Sequence, residues 1–416
     1  MKARQLIIII SFLGMLFTAL PAKAQAPQHG IQGHDSIRIS LLTCAAGQEI
    51  YSLFGHTAIR YENYTQGIDR VYNYGIFDFD TPNFVLRFAL GETDYQLGIS
   101  SYKHFTAGYA YWGRDVWQQV LNLRQAEKEM LVKLLDENYL PENRIYRYNF
   151  FYDNCSTRPR DMVEKAIAGR IDYRQDMDDT ATGTTFRDIL RQYSAGHPWS
   201  SFAMDFCMGP KADEQISRRI QMFVPFNLQE DFGHAYIHDE EGDIRPLVVQ
   251  ESKIVETTAR NDKDWTDTFT PIRSAWILFI LVACATLLGI KLGKSFWVMD
   301  FLLFAAAGLA GCIPAFLALF STHPAVSPNY LLFVFHPLHL LCLPLMLPWV
   351  RKKRVSLYMA ANFVVLTFFI ALWPVIPQRF DFAILPLALS LLARSGGNIW
   401  AAYQKHKRPK RITTLR

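Results

Sequence analysis

The chain has 416 residues, 50% of them hydrophobic, and a formal net charge of +5. That length exceeds one compact domain of ordinary size, so two or more units are expected. Much of the positive excess sits in Arg351-Lys352-Lys353-Arg354 and in the tail from Lys405 to Arg416, beside apolar segments, which points to membrane topology and away from nucleic acid.

Lys2 and Arg4, an apolar run over residues 6–20, the Pro21 break and Ala22-Lys23-Ala24 predict a signal peptide over residues 1–24. An uncleaved anchor is the alternative, and either one exports residues 25–250. Within that exported part the alternation from Ser36 to Leu42 predicts a strand. His56 to Tyr61 and Arg70 to Gly75, separated by turn residues Asn63 and Gly67, predict a hairpin. With its midpoint near Thr65 or Gln66, the residues facing His56 fall at Asn73 to Gly75.

A short helix is expected over residues 83–90, strands over 94–99 and 117–123, and a helix from near Arg124 to before Pro141. The aromatic run Tyr146 to Tyr152 is strongly β-prone. Asp153 or Asn154 can cap the helix that follows, which has Pro159 in its first turn and an apolar stripe of Met162, Val163, Ala166 and Ile167. Further helices are expected over 185–193 and around 215–222. A polar connector over 251–271 closes the exported part.

Five apolar segments follow within residues 272–396, at about 272–290, 296–320, 330–350, 355–376 and 380–393. The last is borderline unless Ile399 and Trp400 belong to it. The loops with Lys291, Lys294 and Arg351 to Arg354, and a basic tail over 397–416, fall on the cytoplasmic side by the positive-inside rule. An odd number of crossings gives the same orientation.

Of six cysteines, only Cys44, Cys155 and Cys207 are exported, so all three cannot pair within one chain. A Cys44–Cys207 bridge that leaves Cys155 free fits that count. His234 and His238 come nearest to zinc-ligand spacing but lack companions, so no metal or other cofactor is expected. Cys155 precedes a helix, where unpaired N–H groups favour thiolate, with Arg158 and Arg160 close by. A buried structural cysteine and a structural histidine are the plainer readings of Cys155 and His56 taken singly. Together with Asn73 on the return strand they supply a nucleophile, a base and a group to orient the base. Tyr72, Asp78 and Asp80 compete for that third role.

The blocks Ser40 to Cys44, Tyr51 to Ala58, Tyr72 to Gly75 and Phe151 to Arg158 resemble the Lnb-type periplasmic domain family, and Ser321 to Pro324 with Asn329 to Pro337 resemble its membrane part. The resemblance implies an α+β chain: a circularly permuted papain-like (NlpC/P60-type) exported domain, with His before Cys, followed by a five-helix transmembrane bundle. It also implies lipoprotein N-acyltransferase activity, with His56 as general base and Cys155 as nucleophile. Cys44 lies within the resembling blocks and stays open as an alternative nucleophile or disulfide partner.

The implied partners are a phospholipid acyl donor and a diacylated lipoprotein acceptor in the bacterial inner membrane. Arg158, His323, Asn329 and His336 are candidates for phosphate or headgroup contact, the last with His339 one turn away. Helix–helix hydrogen bonding is the plainer role for the intramembrane groups. Two other readings compete with acyl transfer: a membrane-anchored cysteine peptidase or amidase acting on cell-wall peptides, and a non-catalytic membrane scaffold.

Overall fold

The computed structural model describes residues 36–77, 80, 82–173, 183–257 and 268–407. The expected signal peptide, Asp78, part of the connector and the end of the basic tail lie outside the described residues.

β1 (Ile37–Cys44), β2 (His56–Asn63) and β3 (Ile68–Ile76) run as an antiparallel meander. After helix α1 (Phe84–Leu90) come β4 (Asp94–Ser101), α2 (Tyr102–Tyr111), β5 (Val116–Leu121), α3 (Gln125–Tyr139), β6 (Ile145–Arg147) and α4 (Thr157–Ala166). Next are β7 (Arg170–Asp172), α5 (Phe186–Tyr193), α6 (Pro198–Cys207), α7 (Arg218–Gln221), α8 (Pro225–Gly233), β8 (Tyr236–His238), β9 (Ile244–Pro246) and β10 (Val248–Val255). Seven strands form one sheet in the order β10-β5-β1-β2-β3-β4-β6, and β7-β8-β9 form a second.

Strand alternation sorts the large sheet into two faces. Ile39, Leu41, Ile59, Tyr72 and Tyr74 pack with Leu131 and Leu135 of α3, Val163 of α4 and Phe232 of α8. Leu42, Cys44, Ala58 and Val71 pack on the other face with Phe105 and Tyr109 of α2. Three expectations change. β10 extends the sheet to Val255, so the connector starts later than Glu251. The β-prone run Tyr146 to Tyr152 leaves the sheet after Arg147, because Asn149 folds it into a turn. Helix α2, with Ser101 capping its His104 N–H, adds an element that the sequence reading lacks.

The C-terminal part is helical: α9 (Pro271–Leu292), α10 (Trp297–Phe320), a 3₁₀ turn (Tyr330–Phe333), α11 (Leu338–Leu341), α12 (Leu343–Arg351), α13 (Leu357–Leu372) and α14 (Ile384–Lys407). Among the described residues, Pro271–Leu292, Trp297–Phe320 and Leu357–Val375 are long and apolar enough to cross a membrane. Tyr330–Leu341 and Leu343–Arg351, which meet at 80°, make a fourth if counted as one span. The expected continuous third helix is therefore broken, and Pro337, Pro344 and Pro348 remove backbone donors along it. α14 runs past Ala393 to include Ile399 and Trp400, but it also contains Arg394. That guanidinium is buried, held by Asp300 Oδ1 and Oδ2 at 2.6 and 2.9 Å and by Thr286 Oγ1 at 2.9 Å.

At one end of the helices the two basic loops meet: Lys353 donates to Gly293 O, and Arg351 lies 4.8 Å from the Trp297 ring. At the other end the loops dock on the sheet domain. Gly209 N–H donates to Ala325 O at 2.7 Å, and a Cβ on Gly209 would lie 1.8 Å from Pro328 O, so only glycine fits. Arg379, the one arginine of those loops, binds Asp188 at 2.6 Å and Asp213 at 3.0 Å.

Truncating one partner of a buried pair leaves the other charge uncompensated. Arg394→Ala is expected to destabilise the helical part by about 3 kcal/mol, while the Asp300→Ala/Arg394→Ala double variant recovers part of the loss. Thermal unfolding of the full chain in detergent measures both.

Candidate active site

Three chain segments build the site. β2 starts at His56, β3 ends just past Asn73, and the turn before α4 presents Cys155. His56 and Asn73 lie on the face of Ala58 and Val71, and His56 Nε2 lies 2.5 Å from Asn73 Oδ1. An amide oxygen only accepts, so Nε2 carries the proton and Nδ1 is left for the thiol. A register shift between Asn73 and Ile76 in the β3–β4 pairing opens the strand there. Gly75, at φ +88°, fills the opening: a Cβ on it would stand 3.4 Å from Cys155 Cβ and 3.8 Å from His56 Cε1.

The Cys155 turn is fixed by side chains. Asn149 Oδ1 accepts the N–H groups of Phe151 and Tyr152. Asn154 Oδ1 accepts those of Ser156 and Thr157 at 2.8 and 3.0 Å, while its amide donates to Phe150 O and Phe223 O. Ser156 Oγ lies 3.1 Å from Thr57 Oγ1, tying the turn to β2. Asn154 therefore occupies the first free N–H groups of α4, and the helix end is not the main source of thiolate stabilisation.

Burial pushes the Cys155 thiol up, but the His56 charge and hydrogen bond, the Thr57 backbone N–H and the Ser156 hydroxyl outweigh it, and the thiol lies below its ordinary value. Burial likewise pushes His56 down, and the Cys155 charge with hydrogen bonds to Cys155 and Asn73 raises it above its ordinary value. The two shifts run in opposite directions, and each group favours the charged form of the other. All six cysteines are free, so the Cys44–Cys207 bridge is not formed. Cys44, opposite His56 in the β1–β2 register, is fully buried, and burial pushes its thiol up to about 12. Burial pushes Cys207 up to about 11. Neither has the environment of a nucleophile.

The Lnb N-terminal periplasmic domain model matches residues 30–192, and the Lnb transmembrane domain model matches residues 262–406. The chain belongs to the Lnb family. It is an inner-membrane protein of a lipoprotein-processing family, with a periplasmic N-terminal domain and a transmembrane C-terminal one. No curated protein and no solved structure matches the chain.

In this Lnb chain the remaining candidates sit apart from the thiol or are already bonded. Arg158 forms a two-point pair with Asp153, at 2.5 and 2.8 Å, and lies 3.6 Å from the Tyr146 ring. Arg160 is held by Asp161 and Arg219 O. Tyr72 points to the opposite face and donates to Asp136, and Asp80 is exposed.

His323 Nε2 lies 2.8 Å from Phe88 O in α1. Asn329 is buried, with its amide on Phe206 O and its oxygen taken by Leu331 N–H and Gln378. His339 bonds Val334 O and Tyr358 OH, and its ring stacks on His336 at 3.9 Å. Nδ1 of His336 has no hydrogen-bond partner among the described residues. From sequence Asn154 is a candidate helix cap and Gly75 ends the stretch facing His56, but neither they nor Thr57 stand out as parts of the site, although all three fall inside or beside the blocks that carry His56, Asn73 and Cys155.

His56 is the largest influence that lowers the Cys155 thiol. Alkylation by iodoacetamide is expected to label Cys155 at neutral pH ahead of Cys44 and Cys207, and to fall only as pH drops through the lowered thiol value. In His56→Ala the largest influence opposing burial is removed and only the Thr57 N–H and Ser156 hydroxyl remain, so the thiol moves up and the rate at pH 7 falls about tenfold for each unit. Peptide mapping against pH measures both.

Proposed function

We propose that this chain is a lipoprotein N-acyltransferase that moves an acyl chain from a phospholipid, through a thioester on Cys155, to the α-amine of a diacylglyceryl-cysteine. The observation that carries the reading is Cys155 brought beside His56 and Asn73, in a domain bonded directly to the periplasmic loops of a membrane bundle. Family membership supports it, since Lnb domains are concerned with lipoproteins.

In the proposed chemistry the Cys155 thiolate attacks the ester carbonyl of the donor. As the C–O bond breaks, His56 gives its Nδ1 proton to the departing glycerol oxygen, leaving an acyl-thioester and a lysophospholipid. The acceptor amine then attacks the thioester carbonyl, His56 takes its proton, and the thiolate leaves. Asn73 holds the imidazole so that Nδ1 faces the sulfur throughout. Both substrates are anchored in one leaflet, so a thiol held at that surface gains effective concentration that a free enzyme lacks.

The same reading favours a circularly permuted papain-like domain, because the histidine strand precedes the cysteine turn and its helix. It also makes α14 a fifth crossing with the C-terminus in the cytoplasm. From Ile384 to Gln404 the only charged residue is Arg394, and Asp300 compensates it inside the bundle. Phospholipid donor, lipoprotein acceptor and catalytic roles for His56, Asn73 and Cys155 are parts of this one proposal.

The test is the mass of a lipoprotein N-terminal peptide from cells whose only N-acylating enzyme is this protein. Wild type is expected to add one acyl chain, and Cys155→Ala and His56→Ala are each expected to abolish it, since members of such a unit are not additive. Persistence of the N-acyl chain in Cys155→Ala would sink the proposal and favour a scaffold. Release of free fatty acid without N-acylation would favour a hydrolase.

A further inference from the structure

α1 (Phe84–Leu90) contributes no buried residue to the domain. Val85, Leu86 and Phe88 are 78%, 50% and 43% exposed, a concentration of apolar surface on one short helix, although the Phe88 ring also lies against Phe84 and His323. Its C-terminal end is fastened to the chain just beyond membrane span α10. Thr322 donates to Leu90 O from both N–H and Oγ1 at 2.9 Å, and His323 bonds Phe88 O. Gly91, at φ +75°, admits that contact, because a Cβ there would lie 2.4 Å from Thr322 Oγ1. The apolar face of α1 thus continues the surface of α10, whose last residues Leu319 and Phe320 are 75% and 61% exposed. Arg87 is drawn off that face to Glu92 O and Asp94.

Behind α1 runs a series of stacked rings. Phe84 stacks on Phe77 at 5.5 Å, Phe77 on Tyr95 at 5.0 Å, and Tyr95 on Tyr148 at 4.0 Å. Tyr148 directly precedes Asn149, whose backbone pairs with that of Asp153, two residues before the nucleophile. The series runs from the end of a membrane span to the turn that carries the thiol.

We infer that α1 is seated in the outer leaflet of the membrane and that the ring series from Phe84 to Tyr148 guides one acyl chain of the phospholipid donor to Cys155. The donor half of this inference rests on the acyl-transfer reading above, and the seating of α1 does not. Lipid is the occupant because the exposed face is continuous with a surface that lipid already covers. A second copy of the chain on α1 would have to displace that lipid.

The experiment uses the full chain in vesicles of phosphatidylethanolamine and phosphatidylglycerol containing a phospholipid with a photoactivatable diazirine in its acyl chain. Light is expected to label Val85, Leu86 and Phe88 as well as the membrane spans. Label confined to the spans, or chain-to-chain cross-links at α1, overturns the inference. In a second arm, acylation of Cys155 is followed by mass from vesicle phospholipid and from a water-soluble short-chain ester. Val85→Asp/Leu86→Asp is expected to lower the ratio of the first to the second by about tenfold or more, the loss of apolar transfer at one or two side chains. An unchanged ratio overturns the guiding role, including where both rates fall together through a folding defect. If wild type acylates Cys155 from neither donor, the acyl-transfer reading fails, and the diazirine label still decides where α1 sits.

Discussion

Burial works against charge on both Cys155 and His56, and the largest influence opposing it at each is the other group. The site therefore depends on holding two groups from different segments together. Much of the surrounding structure serves that constraint. The Asn154 fan and the Thr57–Ser156 contact lock the cysteine turn to the first residues of β2, and Asn73 fixes the imidazole. Gly75, at φ +88°, takes a backbone conformation that other residues rarely adopt, and a Cβ there would already be in contact with Cys155.

The second constraint is placement against the bilayer. The domain does not hang from a single linker. Gly209 meets Ala325 and Pro328, Gln378 donates to Met208 O and accepts from Tyr330 N–H, and Arg379 joins Asp188 and Asp213. Arg187, fully buried, binds Asp205 of α6 and Asp213, and Asp213 also receives Arg379. A docked domain keeps the thiol at a constant height above the membrane, which the proposed reaction between two anchored substrates would require.

The His56–Asn73 contact was legible in the sequence because hairpin register follows from alternation and turn position alone. The charged neighbours of Cys155 were not. Arg158 looks like a thiolate partner by proximity in sequence, yet Asp153, five residues earlier, takes its guanidinium on both sides. β10 reads as a connector because it is an edge strand: Val249, Gln250 and Glu251 are exposed, so its composition resembles a loop. Arg394 reads as the end of a span because its partner Asp300 is remote in sequence and visible only once the helices pack.

The broken third span shows how composition and geometry part company. Its residues are as apolar as those of a continuous helix, but Pro337 cannot donate, and carbonyls left free where the helix is broken must find other partners in hydrocarbon. His339 supplies one by bonding Val334 O, and Tyr358 of the neighbouring helix completes the imidazole. Gly308 and Gly311 of α10 let the irregular backbone approach: a Cβ on Gly311 would fall 2.3 Å from His336 N. Breaking the helix turns Asn329 and the Tyr330–Phe333 turn toward the domain, where Asn329 reaches Phe206 O. The intramembrane histidine His339 is thus accounted for by backbone satisfaction, and the break it supports is what lets the membrane part grip the domain that carries Cys155.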